Sequence, residues 1–180
     1  MIYSKYLLAI DPGATGSASL FCDMELLAVL AFGLKRNKTD WEERLKDWCF
    51  LYQPDIIVME DVHAFGRDTK SNAFAFGGNK RAVLVALKFA GRKVDKTYDP
   101  KKWQRLCGLP HNYHIRDTKK RRTENRACQK ALAIQLYPSL LAVQGDVFAS
   151  VLIGWAAVQD MGKASGHAGL PECTRDGGES

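Results

Sequence analysis

Short apolar runs separated by turn signals open the chain. Tyr6 to Ile10 is apolar and runs into Asp11-Pro12-Gly13, which predicts a strand ending in a turn. Gly16 to Phe21 and Leu26 to Phe32 read as two further strands, and the short links predict an antiparallel meander. The period then changes. Trp41, Leu45 and Trp48 fall on one helical face, with Thr39 or Asp40 as N-cap and Pro54 beyond the end. Ile56 to Met59 is too short for a helix and predicts a buried strand.

Val62 to Gly78 is rich in Gly, Ser, Asn and Phe and predicts a loop leading into a helix over Arg81 to Ala90, stopped by Gly91. Val94 to Tyr98 predicts a fifth strand, and Pro100 to Leu106 a short helix, since proline suits the first turn. His111 to Asp117 reads as a loop. Thr123 to Tyr137 predicts a helix with Ala127, Leu132 and Leu136 inward, ended by Pro138. Val147 to Val158 predicts the last helix. The order predicts an α/β fold with a mixed five-stranded sheet, three antiparallel strands then parallel ones, flanked by helices. The first and fourth strands can then be neighbours. One domain over residues 1–161 is expected, with a small, polar, Gly-rich and disordered tail over 162–180.

Composition narrows the class. The 180 residues are 46% hydrophobic, enough for a buried core. The net charge of +6 favours an acidic partner such as nucleic acid, although many proteins are this basic. Cys22, Cys49, Cys107, Cys128 and Cys173 form no CxxC pair and are odd in number, so reduced, mostly buried thiols in a cytosolic setting are expected, and zinc is not. His111 and His114 lie in the expected loop. No apolar run reaches membrane-spanning length, and the start of the chain does not read as a signal peptide.

Three acidic positions carry the candidate chemistry. Asp11 and Glu60 end apolar runs, and Asp146 opens one. Taken singly, Asp11 reads as a turn residue, Glu60 as a surface acid and Asp146 as a helix N-cap. Together they read as a shared site. Strand alternation puts Glu60 on the face of Ile56 and Val58, where a carboxylate is costly to bury without a partner. A helix start favours the carboxylate of Asp146. Carboxylates gathered on a rigid sheet can hold Mg²⁺ for phosphodiester chemistry.

The segments AIDPGATGSASL, QPDIIVMEDVHAF, GGNKRAVLVAL and DVFASVLIGWAA stand in an order, and at spacings, that resemble the RuvC-type Holliday-junction resolvases of the ribonuclease H-like superfamily. The resemblance covers most of residues 6 to 158, and the chain's length fits a phage or viral member working in the cytoplasm of a bacterial host. It implies Mg²⁺-dependent hydrolysis of four-way DNA junctions, with Mn²⁺ able to substitute. Two ions per active site are implied, bridged by Asp11, with one activating water and the other stabilising the leaving 3′ oxygen. It places metal-binding acids at Asp11, Glu60 and Asp146, and a fourth at position 149. Position 149 is Ala149. Three readings stand: an Asp-to-Ala change that disables cleavage, which is favoured; a natural protein that is inactive or uses three acids; or a register one turn off. Asp160 lies about 21 Å further along a helix than Asp146 and cannot take the missing place.

Basic residues supply candidate DNA contacts. Lys101 and Lys102 form one cluster. Lys119, Lys120, Arg121 and Arg122 form a second, at a loop-to-helix boundary with Arg116 and Arg126 beside it. The commoner role of any single basic run is a solvated helix start. The resemblance makes Lys119 and Lys120 candidate transition-state stabilisers. Arg67, Lys70, Lys80 and Arg81 are further candidates for phosphate. Phe65, Phe74 and Phe76 are candidates to wedge or stack at an opened junction, with core packing the expected role for at least one. The helix from Asn79 to Ala90 resembles the family's dimer helix, and a two-fold symmetric junction calls for a homodimer. Other readings remain: a non-catalytic junction-binding protein, a broader branched-DNA nuclease, or an actin-like nucleotide-binding lobe, for which DPGATG is suggestive but 180 residues leave no second lobe.

Overall fold

The computed structural model describes residues 5–13, 15–32, 40–61, 70–110, 118–143 and 147–164, with backbone alone at 70–76 and 163–164. The elements are β1 (Tyr6–Asp11), β2 (Ser17–Cys22), β3 (Glu25–Ala31), α1 (Trp41–Tyr52), β4 (Ile56–Glu60), α2 (Lys70–Phe89), β5 (Lys96–Tyr98), α3 (Pro100–Leu106), α4 (Thr118–Leu136), a 3₁₀ turn at Pro138–Ala142, and α5 (Phe148–Ala164). The sheet runs β3-β2-β1-β4-β5. β1, β2 and β3 pair antiparallel, while β4 joins β1 and β5 joins β4 in parallel. This is the mixed sheet that the apolar pattern predicts.

Alternation along β1 and β4 splits the core in two. Leu7, Ala9 and Val58 face α5 and parts of α3 and α4, with Trp103, Leu132, Val151 and Ile153 among the buried residues there. Leu8, Ile10, Ile57 and Met59 face α1 and α2, where Trp41, Leu45, Val83 and Leu87 cover them. Central strands buried on both faces explain why Tyr6 to Ile10 and Ile56 to Met59 read as continuous apolar runs.

Two helices begin earlier than the sequence pattern predicts. α2 starts at Lys70, within the segment expected to be loop. Gly77 and Gly78 lower helix propensity, but a Cβ on either would meet nothing within 4 Å. The buried side chains of Val83, Ala86 and Leu87 anchor the helix, which extends back through the glycines. α4 starts at Thr118 rather than Thr123. Its buried residues, Leu132 and Ala133, lie near its far end. The first turns are built from Lys and Arg, which are good helix formers without an apolar face. α5 runs to Ala164, past position 162 where the tail was expected. The loop expected at 111–117 and most of the tail lie outside the described residues.

Cys22, Cys49, Cys107 and Cys128 are free thiols. Burial pushes Cys49 up to about 11 and Cys107 up to about 12, which makes both unreactive packing residues. Among the described residues, no helix is long and apolar enough to cross a membrane.

Candidate active site

The parallel register of β1 and β4 pairs Ile10 with Met59. One position further, both strands end in an acid, Asp11 and Glu60. Both belong to the alternation that faces α5, since Leu7, Ala9 and Val58 of the same parity line that core. The two carboxyl groups are close enough for the charge of Asp11 to act on Glu60. Burial, with the Asp11 charge as the next largest cause, pushes Glu60 up to about 8 from an ordinary value of 4.5, and the Asp99 charge adds to the rise. Each negative charge disfavours ionisation of the other group, and a shared proton or a bound cation relieves that repulsion. The donors are hard oxygens, which suit Mg²⁺ or Mn²⁺.

The turn after Asp11 is drawn tight around it. Gly13 N–H donates to Asp11 Oδ1 at 2.9 Å, and Gly16 N–H donates to the Gly13 carbonyl at 2.9 Å. A Cβ on Gly16 would collide with the Asp11 and Gly13 carbonyl oxygens, so the DPGATG segment needs glycine there. Asn79 Nδ2 of α2 donates to the same Gly13 carbonyl at 2.9 Å and ties that helix to the turn.

Glu60 has a second anchor that the sequence reading missed. Trp103 Nε1 donates to Glu60 Oε1 at 2.9 Å. Trp103 belongs to α3, whose start is fixed by Pro100 and by Asp99 Oδ1, which accepts from Lys101 N–H at 2.8 Å. A tryptophan in a seven-residue helix directly after the neighbouring strand was the available signal.

α5 closes over the acid-bearing face. Ser150 Oγ bonds to Ser17 Oγ at 2.8 Å and to Ser19 Oγ at 2.6 Å, and all three residues are buried. A Cβ on Gly154 would fall inside the Phe21 ring, so glycine sets how closely α5 approaches the sheet. Ala149 lies in the first turn of α5, directly before Ser150. Asp146 lies outside the described residues. Among the described residues, no group of three or more His, Cys, Asp or Glu could hold a metal ion. Asp160 serves elsewhere: it accepts from Lys96 Nζ at 2.6 Å, Tyr98 Oη at 3.0 Å and Lys102 Nζ at 3.4 Å.

The candidate DNA contacts divide. Lys119, Lys120 and Arg122 are exposed in the first turns of α4, and Arg121 is half-buried there. No acid occupies the first turn of that helix. Lys101 is exposed, whereas Lys102 is drawn onto Asp160 and lies 5.2 Å over the Tyr98 ring. Lys80 pairs with Asp61 at 3.1 Å. Arg81 lines a groove between α1 and α2 with Glu42, Glu43 and Lys46, on the side of the sheet opposite the acid pair. Phe65 and Arg67 lie outside the described residues, as do the side chains of Lys70, Phe74 and Phe76.

Protein-family models and curated protein sequences give no match to the chain. Solved structures do. The Thermus thermophilus RuvC in complex with Holliday junction substrate is 16% identical, with a TM-score of 0.57, covering 90% of this chain and 96% of that one. A second Thermus thermophilus RuvC structure is 16% identical with a TM-score of 0.55, covering 89% and 96%. The Fowlpox virus resolvase in complex with Holliday junction DNA is 14% identical with a TM-score of 0.46, covering 86% and 99%. The fold is therefore ribonuclease H-like, as in RuvC.

Proposed function

We propose that the chain is a metal-dependent endonuclease that recognises and cuts four-way DNA junctions. The observation that carries this reading is the meeting of Asp11 and Glu60 at the ends of two parallel central strands, on the face that α5 covers. Asp11 and Glu60 would hold the divalent cation, with Asp146 as a further ligand from the segment before α5. The bound ions would supply an activated water and charge stabilisation at the scissile phosphate.

This chain's own residues do the remaining work. Asp11, clamped by Gly13 N–H, keeps a fixed direction. Glu60 is held by Trp103 and stands beside Asp11 in the strand register. The α4 cations Lys119, Lys120, Arg121 and Arg122 would take DNA phosphates, with Lys119 and Lys120 nearest the role of stabilising developing charge. Like charges at a helix N-terminus oppose its dipole, so retaining four of them there suits an anionic partner. Phe65, Arg67, Lys70 and Phe74 would complete the DNA surface together with Lys80, Lys101 and Lys102, whereas Arg81 faces the groove on the opposite side of the sheet. A two-fold symmetric junction calls for two active sites, and the half-exposed Leu84 and Val85 and the more exposed Phe89 of α2 suit a homodimer.

Ala149 favours one second reading, a protein that binds junctions and cuts them poorly. The test is binding and cleavage of a four-way junction against a linear duplex, with Mg²⁺ and with Mn²⁺. Selective, metal-dependent cleavage of the junction supports the proposal, and selective binding without cleavage supports the second reading. Equal affinity for both DNAs contradicts it.

A further inference from the structure

We infer that Trp103 is a positioning residue for the acid pair: its indole N–H holds one oxygen of Glu60 and so sets how that carboxylate meets Asp11 and a divalent cation. The inference rests on the metal-binding reading above and names a residue that this reading does not require.

Trp103 is 1% exposed, and its Nε1 lies 2.9 Å from Glu60 Oε1. An indole N–H donates and cannot accept, and it cannot ligate a metal. Buried from water, it must find an acceptor. The acceptor here is an acid at a strand end, beside Asp11 in the strand register. A donor of this kind favours the charged form of a carboxylate, the form that a cation needs.

The tryptophan is itself rigidly placed. Asp99 caps α3, Cys107 Sγ at its end donates to the Leu152 carbonyl of α5 at 3.3 Å, and Lys102 reaches Asp160 on α5. α3 is thus braced against both the sheet edge and α5. Groups that orient a metal-binding carboxylate typically matter by about 10-fold or more in metal affinity when removed. Phenylalanine at this position keeps an aromatic ring and most of the bulk, and loses the donor.

The experiment is Mn²⁺ binding to the full chain, read from the paramagnetic resonance of free Mn²⁺, for the unsubstituted chain and for Trp103→Phe, with thermal melting of both. The expected result is a folded variant with affinity weakened about 10-fold or more. A folded variant that binds Mn²⁺ as the unsubstituted chain does overturns the inference and leaves the proposed function standing. If the variant does not fold, the indole N–H resonance of Trp103 in the unsubstituted chain decides. It should shift on Mg²⁺ addition, and an unmoved resonance in a metal-bound protein overturns the inference. An unsubstituted chain that binds no Mn²⁺ contradicts the metal reading itself, and this inference with it.

Discussion

Asp11 and Glu60 stand side by side one position beyond the Ile10–Met59 pair, and the charge of Asp11 adds to burial in raising Glu60. Glu60 titrates near 8 in the folded chain, against an ordinary 4.5. Its folded value is the higher one, so the native state holds the extra proton between these limits. Its contribution to stability is complete below pH 4.5 and is lost as pH rises through 8. The melting temperature of metal-free protein should therefore fall across that window. Mg²⁺ should restore stability at pH 8 and have little effect at pH 5. Asp11→Asn should lessen the pH dependence, leaving the larger part that burial causes, and abolish the Mg²⁺ response. Calorimetry with and without chelator checks all three.

The basic start of α4 gives a prediction about DNA. Lys119→Ala and Lys120→Ala should each weaken junction binding and reduce the slope of log affinity against log salt by about 1 per lost phosphate contact. The helix itself should be unharmed or slightly steadier, since a cation at a helix N-terminus opposes the dipole. Binding at several salt concentrations, with circular dichroism alongside, separates the two effects.

The seating of α5 depends on a buried hydroxyl. Ser150 satisfies Ser17 and Ser19 together. Ser150→Ala should cost about 1–3 kcal/mol, because two buried hydroxyls lose a partner. Gly154→Val should destabilise by about 1–3 kcal/mol for a different reason, overpacking against the Phe21 ring. Urea unfolding measures both.

The sheet and the Asp11–Glu60 pair were legible because apolar runs bounded by turns encode strands, and strand order fixes which ends meet. The early start of α4 was not legible, because its first turns lack an apolar face and only chain propensity extends them. Trp103 was missed because its hydrogen bond joins residues 43 positions apart, a relationship that no local pattern carries. Asp160 was set aside on helix length, and its partners Lys96, Tyr98 and Lys102 account for it. Asp146 was read from its place before an apolar run, and it lies outside the described residues.

The central claim is that an acid pair on this sheet serves phosphodiester cleavage and that Ala149 limits it. The direct measurement is Mg²⁺-dependent nicking of a four-way junction by the chain as it stands, by Ala149→Asp, and by Ala149→Asp combined with Asp11→Asn. The account predicts weak nicking by the first, a rise of about 10-fold or more for the second, and none by the third. An unchanged rate on introducing the acid at 149, or cleavage that survives Asp11→Asn, would contradict it.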